Sequence, residues 1–396
     1  MLTFKNKKHN LKVIYICENL DISFGGPASS IPRMCHSLRE LGVDVEIEIV
    51  KNRNESMRND LLDLFNLTYE IHNSNIFFDK FFLFSYSFYK KVFLKSKTKE
   101  NIIFHINGIW RFSTLISLII SRRKNIFSII SPRGMLFEEA LSKNYFLKKI
   151  YWNFLLKKLM KNSSIIHATS ELERELLSKQ KFDIPIVVIP HGIDHVESAS
   201  KLHKENFDKH QGQNNESKII FLARLIEHKG LHIAIEMMKQ ITEIIPRASL
   251  FVGGEFESQS YKAQINKLIK KLKISDNVHF LGELSGDSKE EFFNDAELLV
   301  LPSKSENFGM SIAEALGHGI PVVTSKNTPW KDLDEVGIGR LSDLKIDQFA
   351  KNSLHFLNMS KNEKIIIKEK IHSFIKSNSW EIAASKMIRN YLEILK

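Results

Sequence analysis

Pro302 to Val323 reads P-S-K-S-E-N-F-G-M-S-I-A-E-A-L-G-H-G-I-P-V-V. The apolar run Leu298–Leu301 precedes it, short enough for a buried strand and ended by Pro302. Gly309 to Leu316 has helical spacing, Gly317 and Gly319 close it, and Pro321-Val322-Val323 opens the next strand. Strand, loop, helix and strand in that order make the unit of a parallel sheet. Glu306 falls on the loop entering the helix, and Glu314, with seven residues between the two, falls on its first or second turn. A plain connection of this kind needs no glutamate before its glycine and none on the helix. The amides and positive dipole end of the helix start make a place for phosphate. Carboxylates on either side can accept hydrogen bonds from sugar and ribose hydroxyls.

The same alternation runs outward through the chain. In the first half, strands are expected at Lys12–Cys17, Val43–Val50, Ile102–Ile106, Ile126–Ile130, Ile165–Ala168 and Ile186–Ile189, with helices between them, among them Ser29–Leu41 and Glu171–Ser178. The second half repeats it at Ile219–Ala223, Ser249–Gly253, Val278–Leu281, Leu298–Leu301 and Pro321–Thr324. Between the halves the polar, Gln/Asn-rich stretch around residues 201–217 breaks the rhythm and reads as a linker. The expected fold class is therefore α/β, with two doubly wound parallel-sheet domains at 1–200 and 218–378.

Composition narrows the class. The 396 residues are 43% hydrophobic and 26% charged, as in a soluble globular protein. Two cysteines, Cys17 and Cys35, make neither a disulfide framework nor a metal pattern and suit a reducing compartment. The run Val13–Cys17 behind Lys5, Lys7 and Lys8 is too short for a signal peptide, and no apolar stretch is long enough for a membrane span. The net charge is +11, and two segments concentrate it: Phe77–Lys99 and Tyr145–Lys161 mix aromatics with lysines at helical spacing and hold almost no acid. Such helices suit an anionic membrane surface as well as a core with a basic face. No nucleic-acid-binding fingerprint accompanies them, so nucleic acid is not an expected partner.

Three further features point to a phosphorylated ligand. Arg224 and Lys229 flank the loop in Phe221–Gly230, where both cations could close on a diphosphate. Gly25 and Gly26, in F-G-G-P after the first strand, let the backbone come close to a ligand. The run Val188–Asp194, V-I-P-H-G-I-D, ends a strand in a turn. No DxD-type metal motif stands in a suitable loop; Asp332 and Asp334 follow Trp330 and read as helix-start residues, so no metal is expected.

In order and spacing these pieces resemble the family 4 retaining glycosyltransferases of the GT-B fold. The resemblance rests on Glu306 and Glu314, on Arg224 and Lys229, on Gly25 and Gly26, and on Ile189–Asp194, where His191 replaces the usual Asn. His105–Trp110 and Ser131–Met135 resemble the members that build bacterial O-antigen, capsule and exopolysaccharide repeats, and the match runs on to Ser379-Trp380-Glu381. The resemblance implies two Rossmann-like domains facing a cleft, with residues 379–396 returning to the first. It implies a donor, a UDP- or GDP-hexose or N-acetylhexosamine, on the second domain, its base against Leu281 to Leu284 and its ribose on Glu314. Arg224 and Lys229 would grip the diphosphate, while Glu306 with Asn307, Phe308 and Gly309 would orient the sugar. Gly25 and Gly26 would approach the phosphates, and His105 would line the cleft by the reacting sugar. The acceptor would be a saccharide, lipid-linked through a polyprenyl diphosphate, with the enzyme peripheral on the inner membrane face. Two other readings stay open: a sugar-nucleotide 2-epimerase of the same shape, and a non-catalytic sugar-nucleotide-binding protein of a membrane assembly.

Overall fold

A computed structural model of the chain describes residues 9–21, 25–55, 57, 59–74, 84–97, 101–142, 145–196 and 217–396. The chain divides into two compact units, one of residues up to Gly192 together with Trp380–Lys396, the other Ile193–Ser379. The linker expected at 201–217 lies outside the described residues except for Ser217.

The first unit is built on seven parallel strands, β1 (Lys12–Glu18), β2 (Asp44–Lys51), β3 (Thr68–Asn73), β4 (Ile102–Asn107), β5 (Phe127–Ser131), β6 (Ile165–Ala168) and β7 (Ile186–Val188). Their order is β3-β2-β1-β4-β5-β6-β7. Val13–Cys17 and all of β4 are buried, as strands covered on both faces are, which is why Val13–Cys17 reads as an unbroken apolar run. The chain winds outward from β1 in one direction and from β4 in the other. The carboxyl ends of β1 and β4 therefore flank the switch point where such sheets take ligands.

The second unit repeats the plan with six strands: β8 (Lys218–Leu222), β9 (Ser249–Gly253), β10 (Val278–Gly282), β11 (Leu298–Leu301), β12 (Val322–Ser325) and β13 (Gly339–Ser342). The order β10-β9-β8-β11-β12-β13 puts its switch point between β8 and β11. Each unit is thus a Rossmann-like parallel sheet with its own core.

Two strands lie beyond the sequence reading. β3 is an edge strand, T-Y-E-I-H-N, with only His72 buried, so it carries no apolar run. β13, G-R-L-S, has its arginine in the middle of four residues. The first helix starts at Gly26 rather than Ser29, with Pro27 in its opening turn, where a missing N–H does no harm. The last helix, Trp380–Ile394, belongs to the first unit and packs along the helix Gly26–Glu40. Gly192 fixes its start: a Cβ there would fall 2.2 Å from the Trp380 amide nitrogen. Cys17 and Cys35 are buried free thiols, and burial pushes the Cys17 thiol up to about 12.

Candidate functional site

In the second unit the loops leaving β8 and β11 are stitched together at the switch point. The Lys304 amide donates to the His228 carbonyl at 2.8 Å. Gly230, at φ +79°, lies so close that a Cβ would stand 2.0 Å from the Pro302 carbonyl oxygen. That contact brings the two loops' side chains together: Lys229 Nζ is 2.6 Å from Glu306 Oε1, with only 15% and 10% of the side chains exposed. Past Glu306 the chain turns through Asn307 and Phe308 to Gly309, at φ +83°, and enters the helix Met310–Gly317. Trp330 donates its indole N–H to the Phe308 carbonyl and packs on the Phe308 ring. No side chain caps the helix start, so its amides and dipole face an entering anion.

The other expected donor residues lie in the same unit. Glu314 sits on the second turn of the helix and accepts from Lys289 Nζ at 2.7 Å. Arg224 is more exposed and pairs with Glu257 at 2.6 Å. Its loop is held down by the Leu225 amide on the Glu255 carbonyl and by Gly254, whose Cβ would be 1.9 Å from the Ala223 carbonyl oxygen. The two cations expected to share one diphosphate thus each hold a different carboxylate. Leu281, next to last in the edge strand β10, is 45% exposed, while Leu284 packs against Gly253. Lys289 and Glu257 have no place in the sequence reading. Lys289 stands 25 residues before its partner on a separate helix, a pairing that spacing does not signal.

The first unit holds the rest. Gly25, at φ +78°, precedes the helix Gly26–Glu40, again without a side-chain cap, and a Cβ on it would meet nothing within 4 Å. His105 departs from expectation. It does not line an open surface: it is 1% exposed, stacked on Tyr15 at 4.4 Å, with Nδ1 2.6 Å from Tyr391 Oη and Nε2 2.8 Å from Ser131 Oγ. Its β4 position is covered on both faces, so both nitrogens are satisfied inside. Ser131 continues the chain to His167 Nδ1 at 2.8 Å, and His167 Nε2 reaches the Ile189 carbonyl at 2.9 Å. Burial holds His105 well below the ordinary imidazole range and brings His167 down to about 4. Burial likewise depresses His191, which stacks on Trp380 at 5.7 Å. Arg133, from the S-P-R-G-M stretch, has φ +53° and donates to Asn107 Oδ1 at 2.7 Å and Ser30 Oγ at 3.0 Å.

The two basic aromatic segments part company. In the first, only 84–97 is described. Its helix Tyr86–Lys95 buries Phe88 and Val92, and Lys91 and Lys95 pair with Glu70 and with Glu46 and Glu48 of the β2–β3 edge. Glu48, Glu70 and His72 come together there, within 4.8 Å of one another. That cationic face is therefore largely neutralised. The second segment forms the helices Tyr145–Tyr151 and Lys157–Met160 joined by a π turn, Trp152–Leu156, and its outer face stays open. Among the described residues no helix is long and apolar enough to cross a membrane.

Comparison with known proteins bears on both units. Residues 24–197 match the family described as Glycosyltransferase Family 4, and residues 203–373 match Glycosyl transferases group 1. An uncharacterized glycosyltransferase of Methanocaldococcus jannaschii is 32% identical over 168 residues, 41% of this chain and 42% of that protein. The O-antigen chain mannosyltransferase RfbU of Salmonella typhimurium is 25% identical over 183 residues, 46% and 47% of the two chains. The chain thus spans under half the length of these two curated relatives. Among solved structures, Anabaena Alr3699/HepE, crystallised with UDP and glucose, superposes with a TM-score of 0.72 at 17% identity, over 96% of this chain and 99% of that one.

Proposed function

Since this chain belongs to the family 4 and group 1 glycosyltransferases of the GT-B fold, we propose that it moves a hexose or N-acetylhexosamine from a nucleoside diphosphate sugar to a saccharide acceptor. The observation that carries this is the largely buried pair Lys229–Glu306 at the second switch point, beside an uncapped helix start. A cation for phosphate, a carboxylate for sugar hydroxyls and aligned amides meet there. HepE, with UDP and glucose bound, and RfbU, an O-antigen chain mannosyltransferase, support a nucleotide-sugar donor and a surface-polysaccharide product.

In this reading Glu314 accepts from the ribose hydroxyls, and the base lies along Leu281 to Leu284. Lys229 and Arg224 turn from Glu306 and Glu257 toward the diphosphate, and Glu306 is then free to orient the sugar with the amides of Asn307, Phe308 and Gly309. Cleaving the anomeric C–O bond leaves negative charge on the departing phosphate. Fixed cations and amides stabilise it most in the transition state, each such contact contributing about 2–4 kcal/mol. The acceptor oxygen attacks from the same face and its proton passes to the leaving phosphate, so the anomeric configuration is kept. Arg224 and Lys229 supply the positive charge in place of a metal ion. Gly25 and Gly26 give the first unit an uncapped helix start of its own, which suits an anion. The acceptor is lipid-linked and the enzyme peripheral on the inner membrane face; the open Tyr145 helix supports this.

A thermal-shift panel of UDP, GDP and their sugars tests the donor reading, since a ligand that binds only the folded state raises the melting temperature. A shift with one nucleotide that disappears in Lys229→Ala is expected. Equal shifts in that variant and the parent would remove Lys229 from the site.

A further inference from the structure

We propose that Lys289 is a positioning residue for nucleoside recognition: it keeps hold of Glu314 Oε1 while the donor is bound, so that Oε2 alone meets the ribose in a preformed seat. Ribose as the ligand rests on the donor function proposed above. Glu314 has only 15% of its side chain exposed, and Lys289 Nζ lies 2.7 Å from its Oε1. Among the described residues nothing pairs with Oε2. A charge in so enclosed a place needs a partner, and Lys289 supplies it. With one oxygen already bonded, the carboxylate presents the other in a single direction.

This pair differs in kind from the two beside it. Lys229 and Arg224 lie on the connection after β8, and in the donor reading they leave Glu306 and Glu257 to reach the diphosphate. Lys289 and Glu314 lie inside helices, Asp287–Phe293 and Met310–Gly317, and those helices are tied at further points. His318, just past the second helix, has Nδ1 2.8 Å from the Glu314 carbonyl oxygen and Nε2 3.0 Å from Glu290 Oε2. Its ring stacks on that of the buried Phe293 at 4.3 Å. Adjacent residues of one helix, Lys289 and Glu290, thus hold the carboxylate and the end of the helix that carries it.

A side chain fixed from several sides has little freedom left to lose when a ligand arrives, which is what makes a site preorganised. The chain order fits the same use. β10 ends at Gly282 and the helix with Lys289 begins at Asp287, so one crossover carries both Leu281, assigned to the base, and the cation on the ribose carboxylate. Nucleoside recognition is therefore held rigid by helix packing, while the cations meant for phosphate sit on a loop and move. Loss of Lys289 then acts on the ribose and not on the diphosphate.

The test is calorimetric titration of the full chain with UDP and GDP, each beside its 2′-deoxy form, in the parent, Lys289→Met, Glu314→Gln and the double variant. The parent should favour one ribonucleotide over its deoxy form roughly tenfold, the effect of a hydrogen bond to a charged group. Lys289→Met should bring the two forms near parity. A misfolded fraction binds neither form and leaves their ratio unchanged, so the ratio reads position and not stability. The double variant, which removes both charges together, guards against a fold lost through Glu314 left alone. In the Glu314→Gln background Lys289→Met should alter the ratio no further, because a positioning residue acts only through its partner. A Lys289 that leaves Glu314 for the diphosphate would instead weaken both forms alike. Such an equal loss, an unchanged ribose preference in Lys289→Met, or a further fall in the double variant overturns the assignment. Binding of neither nucleotide by the parent overturns the donor reading itself, and the ribose with it.

Discussion

Lys229 Nζ stands 2.6 Å from Glu306 Oε1, so the cation and the carboxylate assigned to the donor neutralise each other across two loops. Removing one leaves the other charged in a site about one-tenth exposed. Lys229→Ala is therefore expected to cost about 1–3 kcal/mol of stability as well as nucleotide binding. Lys229→Ala with Glu306→Ala should recover much of the stability and none of the binding. Paired denaturant and nucleotide titrations separate the two; recovery of binding in the double variant would contradict the assignment.

Glu314 is held by Lys289 at 2.7 Å, and its proposed ligand is a ribose. Glu314→Ala should weaken the nucleoside diphosphate about 10- to 100-fold, the effect of losing hydrogen bonds to a charged group. The 2′-deoxy nucleotide should bind the parent more weakly and the variant no differently from the ribonucleotide. Calorimetric titration of both ligands reads this directly, and an unchanged ribose preference in Glu314→Ala would place the ribose elsewhere.

The spacing of the two loops rests on Gly230. A methyl there meets the Pro302 carbonyl oxygen at 2.0 Å and sits at φ +79°. Gly230→Ala should lose at least about 2 kcal/mol and, by parting Lys229 from Glu306, most nucleotide affinity. Gly286, at φ +52° with nothing within 4 Å of an added Cβ, is the control; Gly286→Ala should cost only about 1 kcal/mol. Similar melting temperatures for both variants would mean that the loops are not pinned at Gly230.

Acid should loosen the first unit. Burial lowers His105, His167 and His191, with His167 at about 4 against an ordinary 6.5. Between those values the unfolded chain binds more protons than the folded one. Stability is then fully present above about 6.5 and falls as pH drops through the window toward 4. Glu18 and Glu173, raised by burial, act in the opposite sense nearer the carboxylate range. The His167 contribution is isolated by comparison with His167→Asn. Urea unfolding at successive pH values should show a shallower acid loss for the variant. Parallel curves would mean that His167 is protonated in the fold.

Much of the architecture is legible because strands buried on both faces, such as Val13–Cys17 of β1 and all of β11, are dominated by apolar residues, and their runs show it. β3 and β13 escape notice because an edge strand can be polar and still pair through its backbone. The donor loops are legible through Glu306, Gly309 and Glu314, which one short segment supplies in order. Lys289 and Glu257 are not, since each reaches its partner from a distant element. His105 shows the limit of reading a histidine by its motif: the same strand-end position suits a ligand or a core hydrogen bond. Tyr391, 286 residues away, decides for the core. The basic aromatic segments look alike as sequence, and only the carboxylates of β2 and β3 tell them apart.

The most direct measurement is turnover of the nucleotide sugar identified by thermal shift, followed by nucleotide release and by sugar on a polyprenyl-diphosphate saccharide. Release that requires the acceptor, matches the sugar transferred and disappears in Lys229→Ala is the expected result. Donor consumed equally without acceptor, with an isomerised sugar as product, would contradict glycosyl transfer, as would nucleotide binding without turnover on any saccharide acceptor.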